Sequence, residues 1–262
     1  MELIPIKTRK IVVGDDVASV LEESTERDQR SAIRDQDILV VSSKAVATAE
    51  GRIIDLSKLT VSSEAKECAK KCGLSEKFCQ AVLEETAFRS GKVVSSCPGA
   101  LLTELVPRGF PKGSILTANA GLDQSNIAEG FAVGWPADPA QSVRRLRTEL
   151  VPRCAVILSD SCCSPRRLGV TAFALAVSGL DPVQNQKGKL DLFGKPLRIT
   201  TEAIADQLAT AANFLMGNAG QGVPAVVIRD HGLPLSNFEG WVEGIAKEED
   251  LFRFEGGESA KV

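Results

Sequence analysis

The chain has 262 residues, a formal charge of −3, 44% hydrophobic and 25% charged residues, ordinary proportions for a globular protein large enough for one sizeable domain or two small ones. The acidic balance and a pI near 5.5 argue against nucleic acid as the main partner, which calls for net basic surface. One histidine and no tyrosine exclude a His-rich zinc site and leave His231 as the sole candidate for any histidine-dependent triad.

The first predicted helix spans 15–25. A strand follows at 38–41 and ends in Ser42-Ser43-Lys44, two hydroxyls and a lysine that can contact phosphates, though lysines are also common where surface loops begin. Helices are predicted at 62–72 and 75–86. A strand at 115–118 runs into Asn119-Ala120-Gly121-Leu122-Asp123-Gln124-Ser125-Asn126, a turn carrying a carboxylate, amides and a hydroxyl. For the helix at 139–150, Asp138 is the N-cap, Pro139 suits the first position and Gln141 completes a capping box. The strand 154–158 leads to Ser159-Asp160-Ser161, so Asp160 is expected where strand gives way to loop. Another strand is predicted at 170–177, then a long polar loop from Gly179 to Gly194 and a strand at 197–200. The helix at 201–216 carries an apolar stripe at Ile204, Leu208, Ala211, Ala212 and Leu215 and stops at Gly217. A strand at 225–229 precedes Asp230-His231-Gly232, where His231 reads first as a turn residue, and a charged tail from Lys247 to Val262 is expected to fray. Strands and helices do not alternate one for one, which predicts an α+β or irregular α/β fold with mixed sheets.

The glycine-dense segment around Gly217, Gly220 and Gly222 follows a helix instead of opening one. It is therefore neither a P-loop nor a dinucleotide fingerprint; it is a flexible helix stop or a stretch of backbone able to approach a ligand closely. Cys68 and Cys72 fall on one face of the helix at 62–72, with Cys79 on the next helix, and read as small core residues, and an odd total of seven cysteines suits reduced thiols better than a disulfide framework. The adjacent Cys162-Cys163 is the more notable pair by position, yet adjacent cysteines rarely close a bridge without strain. Arg144, Arg145, Arg147 and Arg153, with Arg166 and Arg167 further on, form a local basic cluster. Asp123 and Asp160, each beside hydroxyls or amides, suit a hard divalent cation such as Mg²⁺ or Mn²⁺, whose shell takes one or two carboxylates and is completed by phosphate oxygens. Turn capping explains the same aspartates as readily. No uninterrupted apolar run of about 18 residues occurs, and the N-terminus lacks a signal-peptide pattern, so a cytoplasmic location is expected.

Taken together, Gly14-Asp15-Asp16, Ile38 to Lys44 with Glu50-Gly51-Arg52, Gln80 to Glu85, Asn119 to Asp123 with Ser125-Asn126, Trp135 to Pro139, Asp160-Ser161, Arg167 with Gly169, Asp191 to Gly194, and Ala203 to Met216 followed by Gly222 to Val227 resemble the coenzyme F420-0:L-glutamate ligase family over about residues 3–232. The resemblance implies an intertwined homodimer with two lobes, one from residues 1–95 with 196–262 and one from 96–195. It also implies a ligase that uses GTP and two divalent cations, assisted by potassium, to activate a carboxylate of the deazaflavin coenzyme precursor as an acyl phosphate and join it to L-glutamate. Position by position, Asp123, Asp160 and Ser161 match metal-binding residues. Asn126, Ser42 and Ser43 match nucleotide contacts; Lys44 and the glycines at 217, 220 and 222 are expected on the same nucleotide, and Arg167 with Asp123, Asp160 and Ser161 at the reacting groups. The chain departs from the family pattern at three places. Thr48 stands where many members have a lysine, Asn218 where some have an acidic metal ligand, and Cys162-Cys163-Ser164 where Asn-Gly-Arg is usual. The altered Cys162-Cys163-Ser164 leaves room for a ligase with a different acceptor, and Thr48 with Asn218 for a relative that binds nucleotide or metabolite without catalysis.

Overall fold

The computed structural model describes residues 1–150 and 153–252; the end of the expected fraying tail, 253–262, lies outside them. In chain order the elements are β1 (Glu2–Ile6), α1 (Val17–Arg27), β2 (Ile38–Ser42), α2 (Ser43–Ala49), β3 (Ile53–Asp55), α3 (Ser63–Cys72), α4 (Glu76–Phe88), β4 (Lys92–Cys97), β5 (Ala100–Leu105) and β6 (Ile115–Ala118). They continue with β7 (Phe131–Val133), α5 (Pro139–Glu149), β8 (Ala155–Cys163), β9 (Val170–Ser178), β10 (Gln184–Asn185), β11 (Thr201–Glu202), α6 (Ile204–Met216), β12 (Ala225–Arg229) and β13 (Glu239–Trp241).

The principal sheet has the order β1-β12-β2-β8-β9-β13. Only the β2–β8 pair is parallel among these neighbours, so the fold is mixed α/β, as the irregular alternation predicted. The sheet takes strands from both ends of the chain and from its middle. β2 reads Ile-Leu-Val-Val because the sheet is covered on both faces, which demands apolar residues at every position. Ile38, Val40, Ala155 and Ile157 pack with Ile204, Leu208, Ala209 and Ala212 of α6. Leu39, Val41, Val156 and Leu158 pack on the other side with Val17 and Leu21 of α1, Val46 of α2, and Val143 and Leu146 of α5. Truncating one of these wholly buried leucines to alanine costs about 2–5 kcal/mol. Three small sheets, β4-β5-β6, β3-β7 and β10-β11, flank this core.

Side-chain chemistry marks some helix ends, while α6 starts at Ile204 and not at 201, because Thr201 and Glu202 pair with β10. Asp138 accepts from the Gln141 amide at the start of α5, with Pro139 in the first turn, and α6 ends at Gly217 with φ +67°. Several expectations are corrected. β8 does not stop at Leu158; it runs to Cys163 as one arm of a long hairpin with β9, because antiparallel pairing continues beyond the end of β2. Asp160 therefore lies within a strand. No strand occupies 197–200: Ile199 is 85% exposed, so the apolar run has no buried face, and the two-residue β11 follows instead. The loop expected over 179–194 contains β10. Ser43-Lys44 open a helix directly after β2 and do not begin a loop.

His231 is a turn residue, its Nε2 donating to the Gln36 carbonyl at 2.7 Å and its Nδ1 accepting from the Leu233 amide at 3.0 Å. Cys72 and Cys79 are core thiols 3.8 Å apart, and burial pushes Cys79 up to about 12. The arginine cluster is dispersed into pairs with carboxylates: Arg144 with Glu239 at 3.0 Å, Arg145 with Glu50 at 3.6 Å and Arg153 with Asp35 at 3.7 Å. Among the described residues, no helix is long and apolar enough to cross a membrane.

Candidate functional site

The site begins where the parallel ladder ends. Ser42 pairs with Ser159 in the last step between β2 and β8, and the two chains then diverge, one into α2 and the other along the hairpin. The divergence leaves Asp160 beside Ser43. Ser43 Oγ donates to Asp160 Oδ1 at 3.0 Å, and the indole Nε1 of Trp135 donates to Oδ2 at 2.6 Å. Burial pushes the Asp160 carboxyl above its ordinary range, against the opposing pull of the indole, Lys44 and Ser43.

Asp123 arrives on a turn with unusual backbone: Asn119, Ala120 and Gly121 all have positive φ (+53°, +54° and +76°). The Asn119 side chain supports the turn by accepting from the Leu101 amide at 2.9 Å. Asp123 and Val133 exchange both backbone hydrogen bonds at 2.9 Å, which fixes where the carboxylate leaves the chain. Its oxygens accept from the Ser125 amide and hydroxyl at 2.7 and 2.8 Å and from the Lys44 ammonium. Burial acts to raise the Asp123 pKa, but Lys44 and Ser125 outweigh it and hold the group below the usual carboxylate range. Asp123 thus caps its own turn and is also paired to the residue that follows Ser43.

Lys44 and Asp160 face a cavity of about 610 Å³, within the size range of small-molecule sites. Ser42, Lys44, Asn126, Asp160, Ser161, Gly217, Gly220 and Gly222 all line it, as do Thr48 and Asn218. The glycine-rich turn is held from two sides: Asn126 Nδ2 donates to the Ala219 carbonyl at 3.2 Å, and the Thr8 amide donates to the Gly222 carbonyl at 3.0 Å. Of the other candidates, Ser43 lies wholly buried behind the wall on Asp160, and Asp123 connects to the cavity through Lys44. Arg167 is not on the wall. Its amide donates to the Ser164 carbonyl at 3.2 Å within the β8–β9 hairpin turn, next to the end of β8, where Cys163 is exposed and Cys162 Sγ lies 3.3 Å from Thr171 Oγ1.

Two contributors escape sequence reasoning. Thr8 to Ile11 line the opposite wall, placed there by the antiparallel register of β1 on β12, which a segment of unremarkable composition does not announce. Trp135 is wholly buried and reads as core until its N–H is traced to Asp160.

The donor chemistry fits a hard divalent cation. Asp160 and the Ser161 hydroxyl on the wall are oxygen donors, and the Asp123 carboxylate, paired here with Lys44, would join them only once that ammonium turned to another anion. Among the described residues, no three His, Cys, Asp or Glu side chains converge on one point, so an ion here would share its shell with hydroxyl and ligand oxygens, the usual situation for Mg²⁺.

The family model described as F420-0:Gamma-glutamyl ligase matches residues 5–230. The coenzyme F420:L-glutamate ligase of Methanocaldococcus jannaschii is 38% identical over 84% of this chain and 86% of its own length. The proteins of the same name from Archaeoglobus fulgidus and Methanothermobacter thermautotrophicus are 36% and 34% identical, covering 97% and 98% of this chain and 96% and 99% of theirs. By the extent of that family model and these identities, the chain belongs to the F420-0:gamma-glutamyl ligase family.

Proposed function

We propose that this protein is a ligase that joins the amine of L-glutamate to a carboxylate of coenzyme F420-0, with GTP as phosphoryl donor and an acyl phosphate as intermediate. The observation that carries the reading is the gathering of Ser42, Lys44, Asn126, Asp160, Ser161 and the glycine turn around one cavity in a chain of this family. A carboxylate is a poor electrophile for an amine, and phosphorylation gives it a leaving group. Phosphoryl transfer depends on positioning and charge more than on a covalent catalyst, which suits a wall without histidine or thiolate.

In this reading the glycine backbone and Asn126 seat the nucleotide, Ser42 and Lys44 face its phosphates, and Asp123, Asp160 and Ser161 hold a divalent cation. Such a cation, when bound, neutralises phosphate charge and orients the transferring group. Lys44 is shared between Asp123 and the cavity, so it can follow negative charge from the carboxylate to an incoming phosphate. A homodimer belongs to the same proposal: Leu168, Leu192, Phe193 and Phe214 are each at least 87% exposed, apolar surface that a second copy would cover.

A second reading, a ligase of the same mechanism with another acceptor, is favoured by one observation. Thr48 and Asn218, two of the departures from the family pattern, both line the cavity itself. Incubating the purified protein with GTP, Mn²⁺, L-glutamate and coenzyme F420-0 separates the two. A product heavier by one glutamyl residue, formed with release of GDP, is the expected result. GDP release with other carboxylates and none with F420-0 favours the second reading, and no nucleotide turnover with any acceptor overturns both.

A further inference from the structure

The two carboxylates assigned to the cation sit on segments distant in sequence, and one side chain touches both segments. Trp135 donates to Asp160 Oδ2 at 2.6 Å through its indole N–H. Its ring also forms the seat of the Asp123 turn: a methyl group added at Gly121 would lie 2.4–2.8 Å from Trp135 Cε2, Nε1 and Cζ2, so backbone rests directly on the indole. Two residues before Trp135, Val133 exchanges both backbone hydrogen bonds with Asp123 at 2.9 Å. Phe173, which meets the ring edge-on at 6.1 Å between centroids, is the cross-strand partner of Asp160 in the β8–β9 ladder.

The indole is itself immobilised from behind. Arg89 donates to the carbonyls of Trp135 and Pro136 at 3.3 and 2.9 Å, and Arg52 donates to the Trp135 carbonyl at 3.3 Å. Both arginines are gripped by Glu85, at 2.8 Å for Arg89 and 2.7 Å for Arg52. Glu85 and Arg89 are 4% and 2% exposed, and the Arg89 guanidinium lies 5.3 Å from the Trp135 ring centroid. A buried ion-paired network of this kind is an expensive way to build mere core. Apolar residues of the same volume would pack the site equally well, whereas a fixed indole aims an N–H at one carboxylate oxygen.

We propose that Trp135 is a positioning residue for the cation end of the site. Its N–H locks the rotamer of the Asp160 carboxylate, with Ser43 on the other oxygen, and its ring sets the height of the Asp123 turn. One rigid side chain thereby fixes the separation of two ligands that no local stretch of sequence could hold together. The inference rests on the assignment of Asp123 and Asp160 to a divalent cation, and groups behind metal ligands commonly govern metal affinity in this way, typically by tenfold to a hundredfold.

The test is direct Mn²⁺ binding to the full-length protein without nucleotide, read from the electron paramagnetic resonance of free Mn²⁺. Three proteins are compared with the native one: Trp135→Phe, a protein with the isosteric 3-benzothienylalanine at 135, and Asp160→Asn. Benzothienylalanine keeps the ring's shape and lacks the N–H, so it carries the test if the phenylalanine variant does not fold. The expected result is a Mn²⁺ affinity at least about fivefold weaker in a folded variant without the N–H, with GTP affinity in the absence of metal unchanged. A smaller loss overturns the positioning role. Native-like Mn²⁺ binding by Asp160→Asn instead overturns the metal assignment itself, so the two failures are told apart.

Discussion

Lys44 and Asp123 lie 79 residues apart in sequence and are joined side chain to side chain, so the first turn of α2 and the Asn119–Asp123 turn meet over a single pair of charges. Asp160 is reached from the same turn of α2 through Ser43 at 3.0 Å. Two consecutive residues thus address the two aspartates separately. Replacing either Asp123 or Asp160 by asparagine should abolish the rise in melting temperature that Mn²⁺ produces, because a ligand stabilises only in proportion to its binding to the folded state. Asp160 lines the cavity itself and Asp123 reaches it through Lys44, so any residual Mn²⁺ effect should be found in Asp123→Asn. Lys44→Met should retain the Mn²⁺ effect and lose GTP affinity. Thermal shift titrations check all three.

The Glu85 network predicts a large stability effect away from the cavity. Glu85→Ala leaves two arginines without their carboxylate, one of them 2% exposed, and breaking a buried pair from one side costs about 3–5 kcal/mol. Urea denaturation measures this, and a loss below about 1 kcal/mol would mean that water or another carboxylate replaces Glu85.

Asp206 supplies a pH dependence outside the site. Burial raises its pKa, and the Ala174 amide at 2.8 Å offsets this in part. A carboxyl with a raised folded-state pKa holds its proton more tightly in the folded than in the unfolded chain. Stability is therefore lost as pH rises from the unfolded value, about 3.9, through the higher folded value. Asp206→Asn can still accept from the Ala174 amide and has no such loss. It should be more stable than the native protein at neutral pH and indistinguishable from it well below pH 4, about the unfolded value. Denaturation midpoints compared across that range decide it.

Thr48 and Asn218 allow the two functional readings to be compared in one protein. Restoring charge with Thr48→Lys and Asn218→Glu together should raise F420-0 turnover by about tenfold, a barrier change of roughly 1.4 kcal/mol, if those departures limit the reaction. If the cavity is tuned to another acceptor, its turnover with that acceptor should instead fall. Steady-state rates with both acceptors separate these results.

Much of the architecture was legible because single residues announce it. Asp138 with Pro139 marks the start of α5, Gly217 marks the end of α6, and the apolar β2 and β12 mark central strands. The site was legible as an inventory: Ser42, Lys44, Asn126, Asp160, Ser161 and the glycine turn do share a cavity. Their mode of assembly was not. α2 follows β2 without a break, and Ser42 caps it without a side-chain bond, so no helix signal separates them. β4, Lys-Val-Val-Ser-Ser-Cys, is exposed along most of its length and has no apolar alternation to reveal it. Ile199 imitates a strand residue yet faces outward. Trp135 and Thr8 to Ile11 reach the site through strand register, and register is a property of the whole sheet that no local pattern encodes.

Following the acceptor's own oxygen reaches the reaction most directly. With both carboxylate oxygens of coenzyme F420-0 labelled with ¹⁸O, attack of that carboxylate on the γ-phosphate of GTP forms a labelled carbon–oxygen–phosphorus bridge and releases GDP. The glutamate amine then displaces phosphate at the acyl carbon and gives up its proton, so the departing inorganic phosphate carries one ¹⁸O for each amide formed. Mass spectrometry of the phosphate should find that single label in step with the glutamylated product. Glutamylated product accompanied by unlabelled phosphate would contradict the acyl phosphate route, and labelled substrate left unglutamylated in the presence of GTP, Mn²⁺ and glutamate would contradict ligation of F420-0 itself.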